Sequence, residues 1–333
     1  MIDIYSFQVL ILSGLISYLS TIYSIPFIIK YAEKYNLKDI PNTRKQHKKP
    51  KIHIGGISLV IGFIISICFV VIINKFIPLD GNYIKLNFLI LIAGILFFLI
   101  GFIDDLIELS PAKRITFQIF ISTIIWSQGI GIYSLTIPFM GANSIILNFH
   151  PLISLFLTVI WCVGVTNSIN WMDGLDGLAS GLIFIASSFL IIIYLELNNL
   201  NYAFICVILA FSNLAFLKYN AYPSKILMGD GGSNFIGFII SVLSLVYSQS
   251  NTIGEGMNYQ NINLLMPLLI LFIPLLDMTF VIFSRLIDNK SPFYPDRRHI
   301  HHRFLRNGVN HQKTVIYICL LSIIPASLTL FIL

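Results

Sequence analysis

The sequence predicts an all-α integral membrane protein with about ten transmembrane helices and both termini outside, forming a single polytopic membrane domain over residues 1–333. Hydrophobic residues make up 56% of the chain, and charged residues make up only 11%. A soluble protein is about 25% charged, so this chain has too little polar surface to cover a water-facing body. The apolar residues also occur in long runs rather than in the periodic stripe of a soluble helix, which argues against a water-soluble fold.

Nine intervals contain no Asp, Glu, Lys or Arg and are long enough to cross a bilayer, whose apolar core takes about 20 helical residues. They are 4–29, 52–74, 86–103, 115–172, 177–195, 197–217, 231–254, 256–276 and 314–333. As a single helix, 115–172 would be about 87 Å long at 1.5 Å per residue, so it contains two spans. The turn between them is marked by Pro138, Gly141, Asn143, Asn148 and Pro151. The sequence therefore predicts ten spans.

Lysine and arginine predict the orientation, because basic residues near helix ends stay on the cytoplasmic side. Of the 21 basic residues, 19 fall in connections that the ten-span count places on one side, and only Lys75 and Lys85 lie opposite. Those inner connections are 30–53, 104–114, 170–177, 218–233 and 285–313. We therefore expect the inner loops in the cytoplasm, in a multi-pass plasma (inner) membrane protein. The positive charge suits anionic lipids or an anionic substrate, and we expect no nucleic acid partner.

The loop after the third predicted span contains Asp104 and Asp105 side by side. Two carboxylates at a membrane boundary repel each other and are costly to desolvate, so they favour a cation or a proton between them. An ordinary solvated helix end is equally consistent with this stretch, since Ser110 and Pro111 are typical residues for opening the next helix. A pair of aspartates alone does not separate the two interpretations.

The fifth predicted span ends in four spaced polar residues. Asn167 and Asn170 are three apart, as are Asp173 and Asp176, so we predict that each pair shares a helical face. Carboxylate and amide oxygens suit a hard cation. The glycines that follow each aspartate allow a backbone or a ligand to approach closely. Helix capping explains one Asn and one Asp, but it does not explain all four residues.

A glycine-rich stretch, residues 228–234, precedes the eighth predicted span. A helix that begins with glycines offers free N–H groups and the positive end of its dipole to a phosphate. Asp230 within such a turn would repel phosphate unless a metal ion bridges them. The stretch therefore predicts Mg²⁺ together with a diphosphate.

The last inner connection contains a stretch rich in histidine and arginine, residues 294–303, which we call the histidine loop. Its basic residues are Arg297, Arg298, His299, His301, His302 and Arg303. The arginines oppose a zinc ion, whereas the same set suits an anionic sugar phosphate. The preference for basic residues on the cytoplasmic side accounts for the arginines but not for the histidines.

Together these stretches resemble the signature sequences of the polyprenyl-phosphate N-acetylhexosamine-1-phosphate transferases. The matching segments are GFIDDLIELSP, NSINWMDGLDGLASG, MGDGGSNFIGF and PDRRHIHHRF, and the resemblance extends to PNTRKQHKKPKIHIGG at 41–56. The resemblance implies transfer of a sugar-1-phosphate from a UDP-sugar to a polyprenyl (undecaprenyl) phosphate, with release of UMP. It also implies Mg²⁺ as the cofactor, with Mn²⁺ as an alternative. The histidine loop resembles that of the branch that uses UDP-N-acetylglucosamine, which is related to the phospho-MurNAc-pentapeptide transferases.

With this resemblance, we predict an active site on the cytoplasmic loops and assign roles to its residues. Catalytic roles are assigned to Asp104 and Asp105, which would face the lipid phosphate with Arg114, and to Asp173. Metal binding is assigned to Asn170 and Asp230. Substrate binding is assigned to Asp176, at the uracil, and to Asn167, Arg297, Arg298, His299, His301, His302 and Arg303.

The expected partners are a UDP-sugar donor, a polyprenyl phosphate acceptor and membrane lipids, while the choice between monomer and homodimer is left open. We expect the first lipid-linked step of a cell-surface polysaccharide, made from UDP-N-acetylglucosamine. Another UDP-N-acetylhexosamine or UDP-MurNAc-pentapeptide is an alternative donor. An intramembrane prenyltransferase also uses Asp-rich loops with Mg²⁺ but has less use for the histidine loop. A transporter should carry charges near the bilayer midplane, yet only Asp277 lies within a predicted span.

Overall fold

The structure, a computed structural model, describes residues 4–39, 50–76, 83–137, 145–250 and 264–332, and within them the chain forms twelve helices. The helices are α1 (Ile4–Lys34), α2 (Gly56–Asn74), α3 (Tyr83–Ile107), α4 (Pro111–Ser127), α5 (Pro151–Met172), α6 (Leu178–Glu196), α7 (Leu200–Asn220), α8 (Gly229–Ser250), α9 (Leu265–Ile270), α10 (Phe272–Ile287), α11 (Ile300–Arg306) and α12 (His311–Ile332). The predicted all-α membrane class is confirmed.

Eight of these helices are long and apolar enough to cross a membrane: α1, α2, α3, α5, α6, α7, α8 and α12. The other two predicted spans correspond to α4, which has only 17 residues, and to the pair α9 and α10, which is divided at Leu271. The division has a local cause, because Pro274 has no N–H to donate to the carbonyl of Ile270. The count of ten spans and the position of the termini stay predictions.

Short strands, which the sequence analysis did not predict, occur in two connections. Strands β1 (Lys38–Asp39) and β2 (Lys51–Ile52) pair antiparallel, as do β3 (Ser134–Ile137) and β4 (Ile145–Asn148). The second hairpin falls where the sequence marked the turn between the fourth and fifth spans. Of the residues that marked that turn, 138, 141 and 143 lie outside the described residues, as does most of the 41–56 stretch.

Helix α8 lies at the centre of the bundle and packs against α2, α3 and α5. Its N-terminal end is approached unusually closely by glycines of its neighbours. A Cβ atom at Gly56 of α2 would lie 2.3 Å from the Cα of Gly232, and one at Gly101 of α3 would lie 2.2 Å from the carbonyl oxygen of Asp230. Real Cβ atoms do not approach so closely, so these positions require glycine. The contacts fix the height of Asp230 within the bundle.

Candidate active site

Asp104 and Asp105, at the C-terminal end of α3, accept hydrogen bonds from different partners. Asp104 accepts a hydrogen bond from Nη1 of Arg114 at 2.6 Å. Asp105 accepts the backbone N–H groups of Asp230 and Gly231 at 2.9 and 3.0 Å. Adjacent residues of a helix point about 100° apart, which is why the two carboxylates diverge. The two carboxylates thus have different protein partners, and a cation or a proton held between them stays a prediction.

The glycine-rich turn does not offer all of its N–H groups to a ligand, which corrects the expectation that the start of this helix leaves them free. Those of Asp230 and Gly231 are already bound by Asp105. Gly229 has φ +74, and a Cβ atom there would lie 2.0 Å from the carbonyl oxygen of His53. Helix packing and a left-handed residue thus account for these glycines. The N–H groups of Asp230 and Gly231 are therefore not free for a phosphate, because a carboxylate of the protein already accepts from them.

The two predicted metal ligands are neighbours. The side-chain nitrogen of Asn170 donates to Oδ1 of Asp230 at 2.7 Å and to Oγ of Ser233 at 2.9 Å. The other oxygen of Asp230 lies 3.5 Å from Nη1 of Arg114. The end of α5, the start of α8 and the first turn of α4 therefore meet at one carboxylate. The amide oxygen of Asn170 remains as a candidate cation ligand.

Asp173 and Asp176 do not share a helical face, because α5 ends at Met172 and both aspartates lie in the turn that follows. Burial of the Asp173 carboxyl raises its pKa well above the ordinary value, and the negative charges of Asp230, Asp105 and Asp176 raise it further. Asp104, Asp105, Asp173 and Asp230 form what we call the acidic cluster. Burial and the neighbouring carboxylates therefore both oppose ionisation of Asp173.

Asp176 is bound by Lys51, a residue that the sequence analysis did not single out. Nζ of Lys51 lies 3.0 and 2.8 Å from the two carboxylate oxygens of Asp176 and 2.6 Å from Oγ of Ser224. The N–H of Ser224 also donates to Asp176, at 3.0 Å. The backbone holds Lys51 in place, because the N–H of Leu227 donates to the carbonyl of Ile52 in β2 at 2.7 Å.

The environment of Asp176 favours its ionised form. Burial opposes ionisation, but the hydrogen bonds from Lys51 and from the N–H of Ser224, with the charge of Lys51, lower the pKa below its ordinary value. Asp176 thus differs from Asp173, three residues earlier. Both of its oxygens have protein partners. Its contact with uracil stays a prediction.

A layer of buried amides, formed by Gln118, Asn167 and Asn234, lies one helical turn below the acidic cluster. Gln118 of α4 donates to Oδ1 of Asn234 in α8 at 3.1 Å, and Asn167 of α5 donates to Oε1 of Gln118 at 2.7 Å. Each amide lies about one turn from a site residue of its own helix: Gln118 is four positions from Arg114, Asn167 is three from Asn170, and Asn234 is four from Asp230. The layer therefore joins the same three helices that carry those site residues.

This layer corrects the role assigned to Asn167. Its side-chain nitrogen donates to Gln118 and to the carbonyl of Val163 in its own helix, at 2.7 and 2.8 Å, and the residue is buried. It therefore holds α5 against α4 rather than facing a substrate. Sequence reasoning missed Gln118 and Asn234 because neither one stands out as a site residue in the stretch that contains it.

The histidine loop packs against the turn that carries Asp173. His301 is 1% exposed, and a Cβ atom at Gly174 would lie 2.6 Å from its Nε2. The predicted close approach to Gly174 is thus made by a histidine. Burial, with the nearby rings of His302 and His299, lowers the pKa of His301 well below its ordinary value. Burial and the neighbouring His299 and Arg297 lower the pKa of His302 to about 4. Both rings are neutral at pH 7.

Two arginines of the histidine loop have protein partners, and the predicted substrate contacts of the loop arginines stay predictions. Arg298 forms ion pairs with Asp288 and, at 3.3 Å, with Asp296, so its charge is balanced by nearby carboxylates. The guanidinium of Arg303 lies 3.9 Å from the centre of the Phe280 ring. Arg297 is exposed and keeps its predicted role as a prediction.

The part of the chain that the structure describes contains no set of three His, Cys, Asp or Glu side chains arranged to hold a metal ion. A cation would therefore complete its ligands from amide oxygens, water or substrate. Around the acidic cluster the charge balance favours this, because Arg114 is the basic side chain bonded to these carboxylates.

Comparison with known proteins gives consistent matches over most of the chain. The glycosyl transferase family 4 model matches residues 87–248. The chain is 30% identical over 317 residues to a probable undecaprenyl-phosphate N-acetylglucosaminyl 1-phosphate transferase of Bacillus subtilis, covering 95% of this chain and 82% of the relative. It is 31% identical over 308 residues to the undecaprenyl-phosphate alpha-N-acetylglucosaminyl 1-phosphate transferase of Escherichia coli, covering 91% and 78%. A decaprenyl-phosphate N-acetylglucosaminephosphotransferase of Mycobacterium leprae is 30% identical over 325 residues, covering 93% and 80%.

Proposed function

This chain belongs to glycosyl transferase family 4, and we propose that it transfers N-acetylglucosamine-1-phosphate from UDP-N-acetylglucosamine to undecaprenyl phosphate, releasing UMP. The observation that carries the proposal is the junction at Asp230, where Asn170, Arg114 and Asp105 bond to one residue. The junction gathers carboxylates and a guanidinium at one end of the bundle, beside the histidine loop. Phosphoryl transfer between anionic partners uses carboxylates that can hold a metal ion and a guanidinium that can neutralise phosphate charge.

In the proposed reaction, a phosphate oxygen of the lipid forms a bond to the β-phosphorus of the nucleotide sugar. The bond from that phosphorus to the bridging oxygen breaks, and UMP leaves with the electron pair. A phosphomonoester has its second pKa near 6, so the nucleophile is already largely ionised at neutral pH. Asp104 is bound to Arg114 at 2.6 Å, which suits a role in orienting the guanidinium toward the phosphates rather than in removing a proton.

The residues present fit a divalent cation. Arg114 pairs with two of the four carboxylates of the acidic cluster, Asp104 and Asp230, and burial together with the charges of neighbouring aspartates raises the pKa of Asp173. We propose that Asp230 and the amide oxygen of Asn170 hold Mg²⁺, or Mn²⁺ in its place, with further ligands from the diphosphate. When bound, the ion would neutralise the diphosphate and the charge that develops on the departing UMP.

The decisive experiment supplies the purified protein and undecaprenyl phosphate with several UDP-sugars and identifies the lipid product by mass spectrometry. We expect undecaprenyl-diphosphate N-acetylglucosamine and an equal amount of UMP. A preference for UDP-MurNAc-pentapeptide would move the chain to another branch and leave the phosphotransferase chemistry intact. Transfer from a labelled prenyl diphosphate, without UMP release, would replace the proposal by a prenyltransferase.

We also propose that the site faces the cytoplasm of a plasma-membrane protein with ten spans. Single cysteines replacing Ser110 and Ser291, which are both exposed, test this in a background that lacks the four native cysteines. Impermeant thiol reagents should not label them in intact cells. A cysteine at Asn198, exposed in the connection between α6 and α7, is the matched control and should be labelled. Labelling of Ser110→Cys or Ser291→Cys from outside would break the assigned orientation.

A further inference from the structure

Helix α10 carries two buried charged residues on one face. Asp277 is 4% exposed and Arg285 is 3% exposed, and they lie about two turns apart in a segment that is otherwise largely apolar. A buried ionisable side chain is costly and is stable only with partners that satisfy it. Asp277 and Arg285 do not bond to each other; each bonds to a different part of the last inner connection.

Asp277 binds the histidine loop with both of its oxygens. Oδ2 lies 2.7 Å from Nδ1 of His299, and Oδ1 accepts the backbone N–H of Ile300 at 2.6 Å. A carboxylate can only accept hydrogen bonds, so Nδ1 of His299 carries the proton in this arrangement. In the neutral ring the lone pair is then on Nε2. One carboxylate thus fixes both the backbone and the protonation pattern at His299.

Arg285 holds the loop at a second point. Its Nε and Nη2 donate to the two oxygens of Asp296 at 3.0 and 3.1 Å, and its Nη1 donates to the carbonyl of Pro292. The guanidinium also lies 5.0 Å from the centre of the Trp171 ring at the end of α5. A bidentate pair restricts orientation as well as distance. The position of the histidine loop relative to the acidic cluster is therefore set from α10.

His299 lies between the helix that carries the metal ligand Asn170 and the rest of the histidine loop. The edge of its ring meets Trp171 at a centroid distance of 5.3 Å, and it is parallel to His301 at 5.6 Å. His301 in turn touches Gly174, next to Asp173. A change in the tautomer or tilt of His299 would therefore alter the packing of His301 beside Asp173.

We propose that Asp277 is a positioning residue, which acts through His299 by holding its proton on Nδ1 and presenting Nε2 to the amino sugar or the diphosphate. This inference rests on the proposed transferase function for the identity of the ligand, but the arrangement of Asp277 and His299 does not depend on it. The sequence shows Asp277 as an isolated charge in an apolar helix. The structure gives that charge a partner 22 positions later in the chain.

The test is a double-mutant cycle of Asp277→Asn and His299→Ala in the full-length purified protein. The Asn side chain has the same size and keeps an oxygen for the N–H of Ile300, but its NH₂ group favours an unprotonated Nδ1. We expect kcat to fall by about tenfold or more in each single variant, and the double variant to be no worse than His299→Ala alone. Thr279→Val, an exposed change on the same helix, is the matched control and should leave kcat unchanged.

A second readout does not use the transferase reaction. The ¹⁵N shifts of labelled histidine, with the His299 signals identified by their loss in His299→Ala, should report a protonated Nδ1 in the wild type and an unprotonated Nδ1 in Asp277→Asn. Wild-type kcat in Asp277→Asn, multiplied losses in the double variant or an unprotonated Nδ1 in the wild type would each overturn the proposal. If Asp277→Asn does not fold, the ¹⁵N shifts of the wild type still decide the proposal, because an unprotonated Nδ1 overturns it without any variant. A wild-type protein with the expected tautomer but no transfer would contradict only the proposed function.

Discussion

The side chains of the acidic cluster come from three separate helix ends or turns, whereas the histidine loop is one continuous segment attached to α10. Asp105 and Asp230 belong to α3 and α8, and their contact depends on how closely those helices pack. The histidine loop depends on two polar residues of one helix, Asp277 and Arg285. The cluster should therefore be sensitive to backbone packing deep in the bundle, and the loop should be sensitive to single polar contacts. Four predictions test that difference.

The largest effect is expected where α3 meets α8. Gly101→Ala would place a Cβ atom 2.2 Å from the carbonyl oxygen of Asp230, so the helices must separate and the bond from Asp105 to α8 must break. We expect loss of monodisperse protein in detergent and no measurable transfer. Gly164→Ala is the matched control, because its nearest neighbour is Cε of Met278 at 3.6 Å. Normal folding of Gly101→Ala would show that the cluster tolerates helix displacement.

Asp230→Asn tests the chemistry of the same junction without a change of size. We expect the fold to persist and kcat to fall by about a hundredfold to a thousandfold, with partial recovery at high Mg²⁺. UMP release over a series of Mg²⁺ concentrations gives the measurement. Glu108→Gln removes an exposed carboxylate just after the C-terminal end of α3 and should change kcat little. Near-normal turnover of Asp230→Asn at ordinary Mg²⁺ would remove this residue from the metal site.

His301→Phe tests the loop. The ring is retained, but the two buried nitrogens, which have no hydrogen-bond partner among the described residues, are lost. If they bind the sugar, kcat/KM for UDP-N-acetylglucosamine should fall about threefold to tenfold, the value of one neutral hydrogen bond. Thermal stability should fall modestly, because the phenyl ring is larger than imidazole and the site is buried against Gly174. Unchanged kcat/KM would make His301 a packing residue, and His150→Gln, at the N-terminal end of α5, serves as the control.

The smallest effect concerns stability and has a defined sign. Asp173 binds its proton more tightly in the folded protein than in the unfolded chain, where the pKa is near 3.8, so the free energy of unfolding falls as the pH rises above that value. Asp173→Asn should therefore raise Tm by roughly 2–4 °C at pH 8 in Mg²⁺-free buffer, and by less at pH 4.

Asp176 provides a control of opposite sign. Its pKa is lowered, mainly by Lys51 against the effect of burial, so its ionised form stabilises the fold above pH 4. Asp176→Asn should lower Tm at pH 8 and have less effect as the pH falls. Equal shifts of Tm at the two pH values, in either variant, would show that charge is not the cause.

The sequence predicted the class of the fold, and the resemblance to the transferase family implied that Asn170 and Asp230 are neighbours, because it assigned both to one metal ion. It did not predict the purpose of the glycines, since a phosphate-binding turn and a close helix contact require the same residue. Lys51 was not recognised because the loop 30–53 is rich in basic residues, which the membrane orientation already explains. The partner of Asp277 lies in a loop whose path the sequence does not give.

The residues that meet at Asp230 are far apart in the order of synthesis. Asp105 is 125 positions from Asp230, and Arg114 is 116 positions from it. When α1 to α7 have been synthesised and inserted into the membrane, most of the acidic residues of the site exist, but Asp230, to which they bond, does not. Three carboxylates and a guanidinium lack their common partner until α8 inserts between the helices already present. Activity cannot begin before that helix is inserted, so a chain that is cut short before it is inert toward the lipid carrier.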